Sequence, residues 1–119
     1  MAQVSSRVSF EPPAANSPVL KEIVRLLVNV YRPERIYLFG SVARGEAGPD
    51  SDYDLLVILP DIAPPHLRSE DAGYAALRGT GAAADILVWT SRDFDRQLHL
   101  KASLPSTVIR EGTLLYGGG

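Results

Sequence analysis

Apolar residues recur along this chain at two distinct spacings. Leu20, Ile23, Leu27 and Tyr31 fall three and four residues apart, which is the inner stripe of a helix. Ser17 precedes them as an N-cap, Pro18 takes the first helical position and Pro33 closes the element. The predicted helix is therefore PVLKEIVRLLVNVYR, residues 18–32. Leu26, Val28 and Val30 widen its apolar surface beyond one stripe. That leaves two readings, a helix covered by its own domain or a face offered to a partner.

Shorter unbroken apolar runs follow, with the β-branched content and length of strands. These are Ile36–Phe39, Tyr53–Leu59, Ala84–Trp89 and Thr113–Tyr116. Pro60 bounds the second run, whose continuous apolar character marks it as a central strand. Gly40-Ser41 turns the first strand into a short helical segment ending near Gly45, and residues 46–51 read as loop. A second helix is expected from Pro64-Pro65 to Leu77 or Arg78, ended by Gly79-Thr80-Gly81. Thr90 or Ser91 caps a third over residues 92–100, and residues 103–111 add a further helical turn or two. Strands alternating with helices give an α/β domain with a small sheet.

The remaining segments set its limits. Residues 1–16, with small residues and a Pro pair, read as a flexible N-terminal arm. The domain occupies residues 17–116, and residues 117–119 form a disordered tail. At 119 residues, 45% hydrophobic and 22% charged, the chain has the composition of one globular domain. There are no cysteines, so disulfides, thiolate chemistry and Cys-based zinc sites are excluded. No run approaches the ~20 apolar residues of a membrane span and no signal pattern opens the chain, so a cytoplasmic location is expected. The formal net charge is −2 with both signs scattered, which argues against an extended nucleic-acid surface but leaves room for a nucleotide pocket.

The unusual chemistry lies in LFGSVARGEAGPDSDYDLLVIL, residues 38–59. Alternation along a strand points Asp52 and Asp54 to the same side, with Tyr53 opposite. Two carboxylates about 4 Å apart at an effective dielectric near 20 repel by roughly 4 kcal/mol. Solvent, a proton or a cation must relieve that repulsion. Because Leu55–Leu59 dives into the core at once, the pair sits on the core's rim, where a hard divalent ion such as Mg²⁺ or Mn²⁺ suits oxygen-only ligation. Asp50, Asp52 and Asp54 also match the first acidic positions of a calcium loop. Leu55 and Asp61 stand where that loop needs Gly and Glu, which removes it. The plain alternative is that the Asp residues close a turn and solvate a strand end.

Asp85 stands at the start of the next strand-like run. If that strand lies beside Tyr53–Leu59, three carboxylates converge. Such a set can hold two metal ions about 3.5–4 Å apart across a phosphoryl displacement, and Asp85 would also be placed as a general base. Gly40-Ser41 supplies a turn whose backbone can approach a phosphate, and Ser41 adds a hydroxyl. Arg44, one helical turn on, brings a guanidinium. No P-loop or Rossmann fingerprint occurs. His66 and His99 are isolated, and Trp89 and Tyr53 read as core residues.

The stretches Gly40-Ser41-Val42-Ala43-Arg44-Gly45 and Ser51-Asp52-Tyr53-Asp54-Leu55, with Val57 following, resemble the GSxARG…SDxDLxV signature of minimal nucleotidyltransferases (MNT). These belong to the DNA polymerase β-like nucleotidyltransferase superfamily. The likeness extends more loosely over residues 18–116 and includes IREGTLLYG at 109–117. It implies a small mixed sheet flanked by helices (α+β). It also implies Mg²⁺-dependent transfer of a nucleotidyl group from an NTP, often ATP. By position Asp52, Asp54 and Asp85 would be the metal and catalytic triad, with Gly40, Ser41 and Arg44 on the nucleotide.

The resemblance further implies pairing with a HEPN-type toxin, on one of whose tyrosines some MNT antitoxins place AMP. Two other outcomes remain: a binding-only antitoxin, and transfer to a small molecule of the aminoglycoside type. Self-association into a homo-oligomer is a further possibility.

Overall fold

A computed structural model describes residues 17–45 and 52–117. The expected arm at 1–16, the loop at 46–51 and the last two tail residues lie outside the described residues. Helix α1 (Pro18–Tyr31) is followed by β1 (Arg35–Phe39) and the one-turn helix α2 (Gly40–Ala43). Strand β2 (Tyr53–Leu59) leads through a 3-10 turn (Pro65–Leu67) to α3 (Asp71–Leu77) and β3 (Ala84–Thr90). Helices α4 (Ser91–Gln97) and α5 (Leu104–Glu111) and strand β4 (Thr113–Tyr116) complete the order.

The strands form one four-stranded mixed sheet among the described residues, ordered β3-β2-β1-β4. Strand β1 is antiparallel to β2 and β4, whereas β2 and β3 run parallel. Alternation sorts the β2 side chains onto two cores. Leu55, Val57 and Leu59 join Ile36, Leu38 and Ile86 beneath α1 and α3. Leu56 and Ile58 join Tyr37, with Phe94 of α4 and Val108 of α5 above them. Both faces of β2 are thus covered, which is why its sequence is continuously apolar.

Helix α1 buries the four stripe residues, Leu20, Ile23, Leu27 and Tyr31. The Ser17 hydroxyl accepts from the Leu20 N–H at 3.4 Å. The helix stops at Tyr31, one residue earlier than expected, because Arg32 adopts a left-handed conformation (φ 51°) and donates its N–H to the Val28 carbonyl. Leu26, Val28 and Val30 pack half-buried against the same core, so the extra apolar width serves the domain itself.

The expected helix from Pro64 to Leu77 is broken. The Arg68 guanidinium donates to the carbonyls of Ala63 and Asp61, both at 2.9 Å, and folds the segment into a loop before α3 begins. The Tyr31 hydroxyl holds the break: it donates to the Ser69 carbonyl at 2.7 Å and accepts from the Gly73 N–H at 2.8 Å. A Cβ on Gly73 would stand 2.9 Å from that hydroxyl, so only glycine permits so close an approach. Helix α4 also ends early, at Gln97, with residues 98–100 outside it.

Helix α3 protects the outer edge of the sheet. The Ile86 N–H donates to the Tyr74 hydroxyl at 3.0 Å and the Val88 N–H to Glu70 Oε2 at 3.2 Å. An edge strand whose outward donors are satisfied this way resists pairing with another chain. Among the described residues no helix is long and apolar enough to cross a membrane.

Candidate active site

The parallel register of β2 and β3 sets Asp54 directly beside Asp85. The antiparallel register on the other side sets Asp54 opposite Phe39, the last residue of β1. The chain turns immediately after Phe39 at Gly40, whose φ is +75°. A Cβ there would stand 3.0 Å from Asp54 Cγ and 3.3 Å from its Cβ. Gly40 therefore meets two demands, a left-handed backbone and space for the Asp54 carboxylate. In the sequence this turn signalled only a backbone approach to phosphate. Ser41 opens the first turn of α2, which no side chain caps.

Asp54 is half-buried, while Asp85 and Asp52 are exposed. Asp52 precedes β2 rather than belonging to it, so strand alternation does not fix its direction. Burial pushes the Asp54 carboxyl above the usual carboxylate range, and the charges of Asp85 and then Asp52 push it the same way. The Arg44 charge opposes them. The four groups that the sequence singled out thus share one electrostatic neighbourhood. Arg44 also lies 3.8 Å from Glu111 at the end of α5, a neighbour that nothing in the sequence pattern indicated.

As they stand, no three His, Cys, Asp or Glu side chains among the described residues are gathered into a group that could hold a metal ion. The donor chemistry does suit one. Asp52, Asp54 and Asp85 offer oxygen alone, and a hard divalent cation would offset both the burial and the like-charge repulsion that raise Asp54. His66 lies in the 3-10 turn and His99 beyond α4, both apart from this cluster.

A family model for the nucleotidyltransferase domain matches residues 19–109. The chain belongs to this family. Among solved structures, the nucleotidyltransferase domain is similar to a nucleotidyltransferase candidate from Sulfolobus solfataricus (22% identity, TM-score 0.59, covering 99% of this chain and 93% of that one). It is also similar to a toxin–antitoxin complex with AMP-PNP (25% identity, TM-score 0.57, 82% of this chain and 72% of that one). A third similarity is to the complex of a tri-AMPylated Shewanella oneidensis HEPN toxin with its MNT antitoxin (21% identity, TM-score 0.50, 83% and 70%). The first and third support the fold alone. No match is found among curated proteins.

Proposed function

We propose that this nucleotidyltransferase domain transfers a nucleotidyl group, AMP from ATP by preference, to a hydroxyl of a partner protein. The partner we infer is a HEPN-type toxin with a tyrosine acceptor, which makes this chain the antitoxin. The observation that carries the reading is the Asp54–Asp85 register pair set against the Gly40-Ser41 turn. The AMP-PNP and AMPylated-toxin complexes among the structural neighbours support the choice of nucleotide and partner.

In this reading Asp52, Asp54 and Asp85 would hold Mg²⁺, two ions by the family pattern, or Mn²⁺, which would supply charge neutralisation to the triphosphate. Ser41 and the uncapped amides beside it bind phosphate oxygens, and Arg44 offsets their charge. Asp85, the more exposed strand carboxylate, takes the proton of the incoming hydroxyl. The acceptor oxygen bonds to the α-phosphorus, the bond to the β-phosphate oxygen breaks, and pyrophosphate departs.

The test is to incubate the protein with Mg·ATP and its co-encoded partner and to weigh the partner by mass spectrometry. One or more added AMP groups on tyrosine, absent with Asp54→Asn, is the expected result. An unmodified partner that the chain still neutralises would replace the enzyme reading with a binding-only antitoxin.

A further inference from the structure

The far end of the β2–β3 pair carries a second chemistry. Five residues beyond Asp85, about 16 Å at the usual rise of a strand, an open cleft of about 490 Å³ wraps the outer edge of β3. Arg68, Trp89, Thr90 and Arg96 line it. A second hollow of about 340 Å³ shares Arg68, Thr90 and Arg96 and extends the groove to Arg92 and Asp61. Three of the chain's twelve basic residues thus meet in one groove.

Their partners are unequal. Arg96 lies 3.5 Å from Asp93, and Arg92 lies 3.9 Å from Asp61. Arg68 is different: backbone carbonyls hold its guanidinium, and among the described residues no carboxylate pairs with it. The residues lining the two hollows sum to one net positive charge, three arginines against Asp61 and Asp93, with the Glu70 carboxylate bound to the Val88 amide at the margin. A guanidinium pinned by carbonyls keeps its charge and gives up little freedom when an anion arrives.

We propose that this groove docks an acidic segment of a partner protein. Its open form, two hollows in series, suits a length of chain rather than an enclosed small ligand. Asp61 and Asp93 within it disfavour a densely charged polyanion such as RNA or polyphosphate, whereas Glu or Asp side chains spaced along a peptide can seat between them. Thr90 and Gln97 offer hydrogen bonds to a peptide backbone. The segment does not add as a strand, because Tyr74 and Glu70 already occupy the Ile86 and Val88 amides. Only in naming the transfer acceptor as the protein that docks does the inference rest on the function proposed above; the binding itself needs neither nucleotide nor metal.

Trp89 is the chain's single tryptophan, so its fluorescence reports this groove directly. Titration of the full chain with hexaglutamate should give a saturable change in emission that weakens with salt. Hexalysine and inorganic triphosphate should not. Arg96→Gln and Arg68→Ala should each raise the half-saturation concentration about fivefold. Asp93→Asn should lower it about twofold or more, a gain that mere structural damage would not produce. Asp54→Asn should leave the titration unchanged while cutting transfer about 1000-fold, which separates failure of the groove from failure of the catalytic reading. Absence of a saturable response up to millimolar peptide, an equal response to hexalysine, preference for triphosphate, or weakening by Asp93→Asn would each overturn the proposal.

Discussion

The two ends of the β2–β3 pair are opposites in charge and in how charge is held. At the start of the strands, Asp54 faces Asp85 across a ladder, and burial together with the neighbouring carboxylates raises the Asp54 proton affinity. At the finish, Arg92 and Arg96 lie beside aspartates and Arg68 is fixed by backbone carbonyls. The first end holds unrelieved repulsion that an incoming cation lowers. The second holds a nearly balanced lattice that an incoming anion rearranges. Electrostatic strain is thus concentrated where chemistry is expected, and the opposite end is arranged for recognition.

The sharpest break of this contrast is Asp54→Asn. Nucleotidyl transfer should fall about 1000-fold, the several kcal/mol that charge stabilisation by a bound ion contributes, measured by AMP incorporation. The folded protein should nevertheless melt at a higher temperature near pH 7. Because the folded Asp54 carboxyl binds its proton more tightly than the unfolded one, stability falls as pH rises from the ordinary carboxylate range through the raised folded value, and then stays level. Thermal melts across that interval should show the decline in the wild type and its absence in the variant.

Gly40→Ala comes next. It forces a positive φ on a residue with a Cβ and drives that Cβ toward the Asp54 carboxylate. A loss of about 1–3 kcal/mol is expected in urea unfolding, with transfer reduced even where the protein stays folded.

Tyr31→Phe removes both hydrogen bonds that hold the turn before α3, next to Arg68. It should cost about 1–3 kcal/mol and loosen the arginine end without touching the carboxylates. Burial raises the Tyr31 phenol above its usual value. In the wild type, stability should therefore fall as pH rises from about 10, where the unfolded phenol ionises, through the raised folded value. The Tyr31→Phe variant, which has no phenol to ionise there, should show a flatter alkaline limb in urea unfolding.

Glu22→Gln is the smallest change. It breaks an exposed pair with Arg25 on α1, remote from both ends, and should leave the melting temperature and transfer unmoved.

Regular periodicity was legible from the sequence, and so were the elements built on it. The four-residue stripe of α1 and the apolar run of β2 are local facts, and both match the structure closely. The broken helix before α3 was not legible. Its cause is Arg68 reaching backbone carbonyls and Tyr31 arriving from 38 residues away, contacts with no local pattern. In the site, Asp54, Asp85 and Gly40 were legible because strand starts and a Gly-Ser turn limit where they can stand. Glu111 and the exposure of Asp52 were not, since each depends on how a separate segment packs. Trp89 was expected in the core. It packs against the Phe94 cluster but stays half-buried, at the rim of the groove.

The Phe39–Asp54 register has a consequence for quality control. Side-chain direction in a sheet has a period of two, so a one-residue slip of β2 would turn Asp54 under α1 and expose Leu55 in its place. A misaligned chain would lose the Gly40–Asp54 juxtaposition and bury a charge in the same error. Chains that pair incorrectly are therefore unstable and lack the carboxylate geometry of the candidate site, so that geometry certifies the alignment of the sheet.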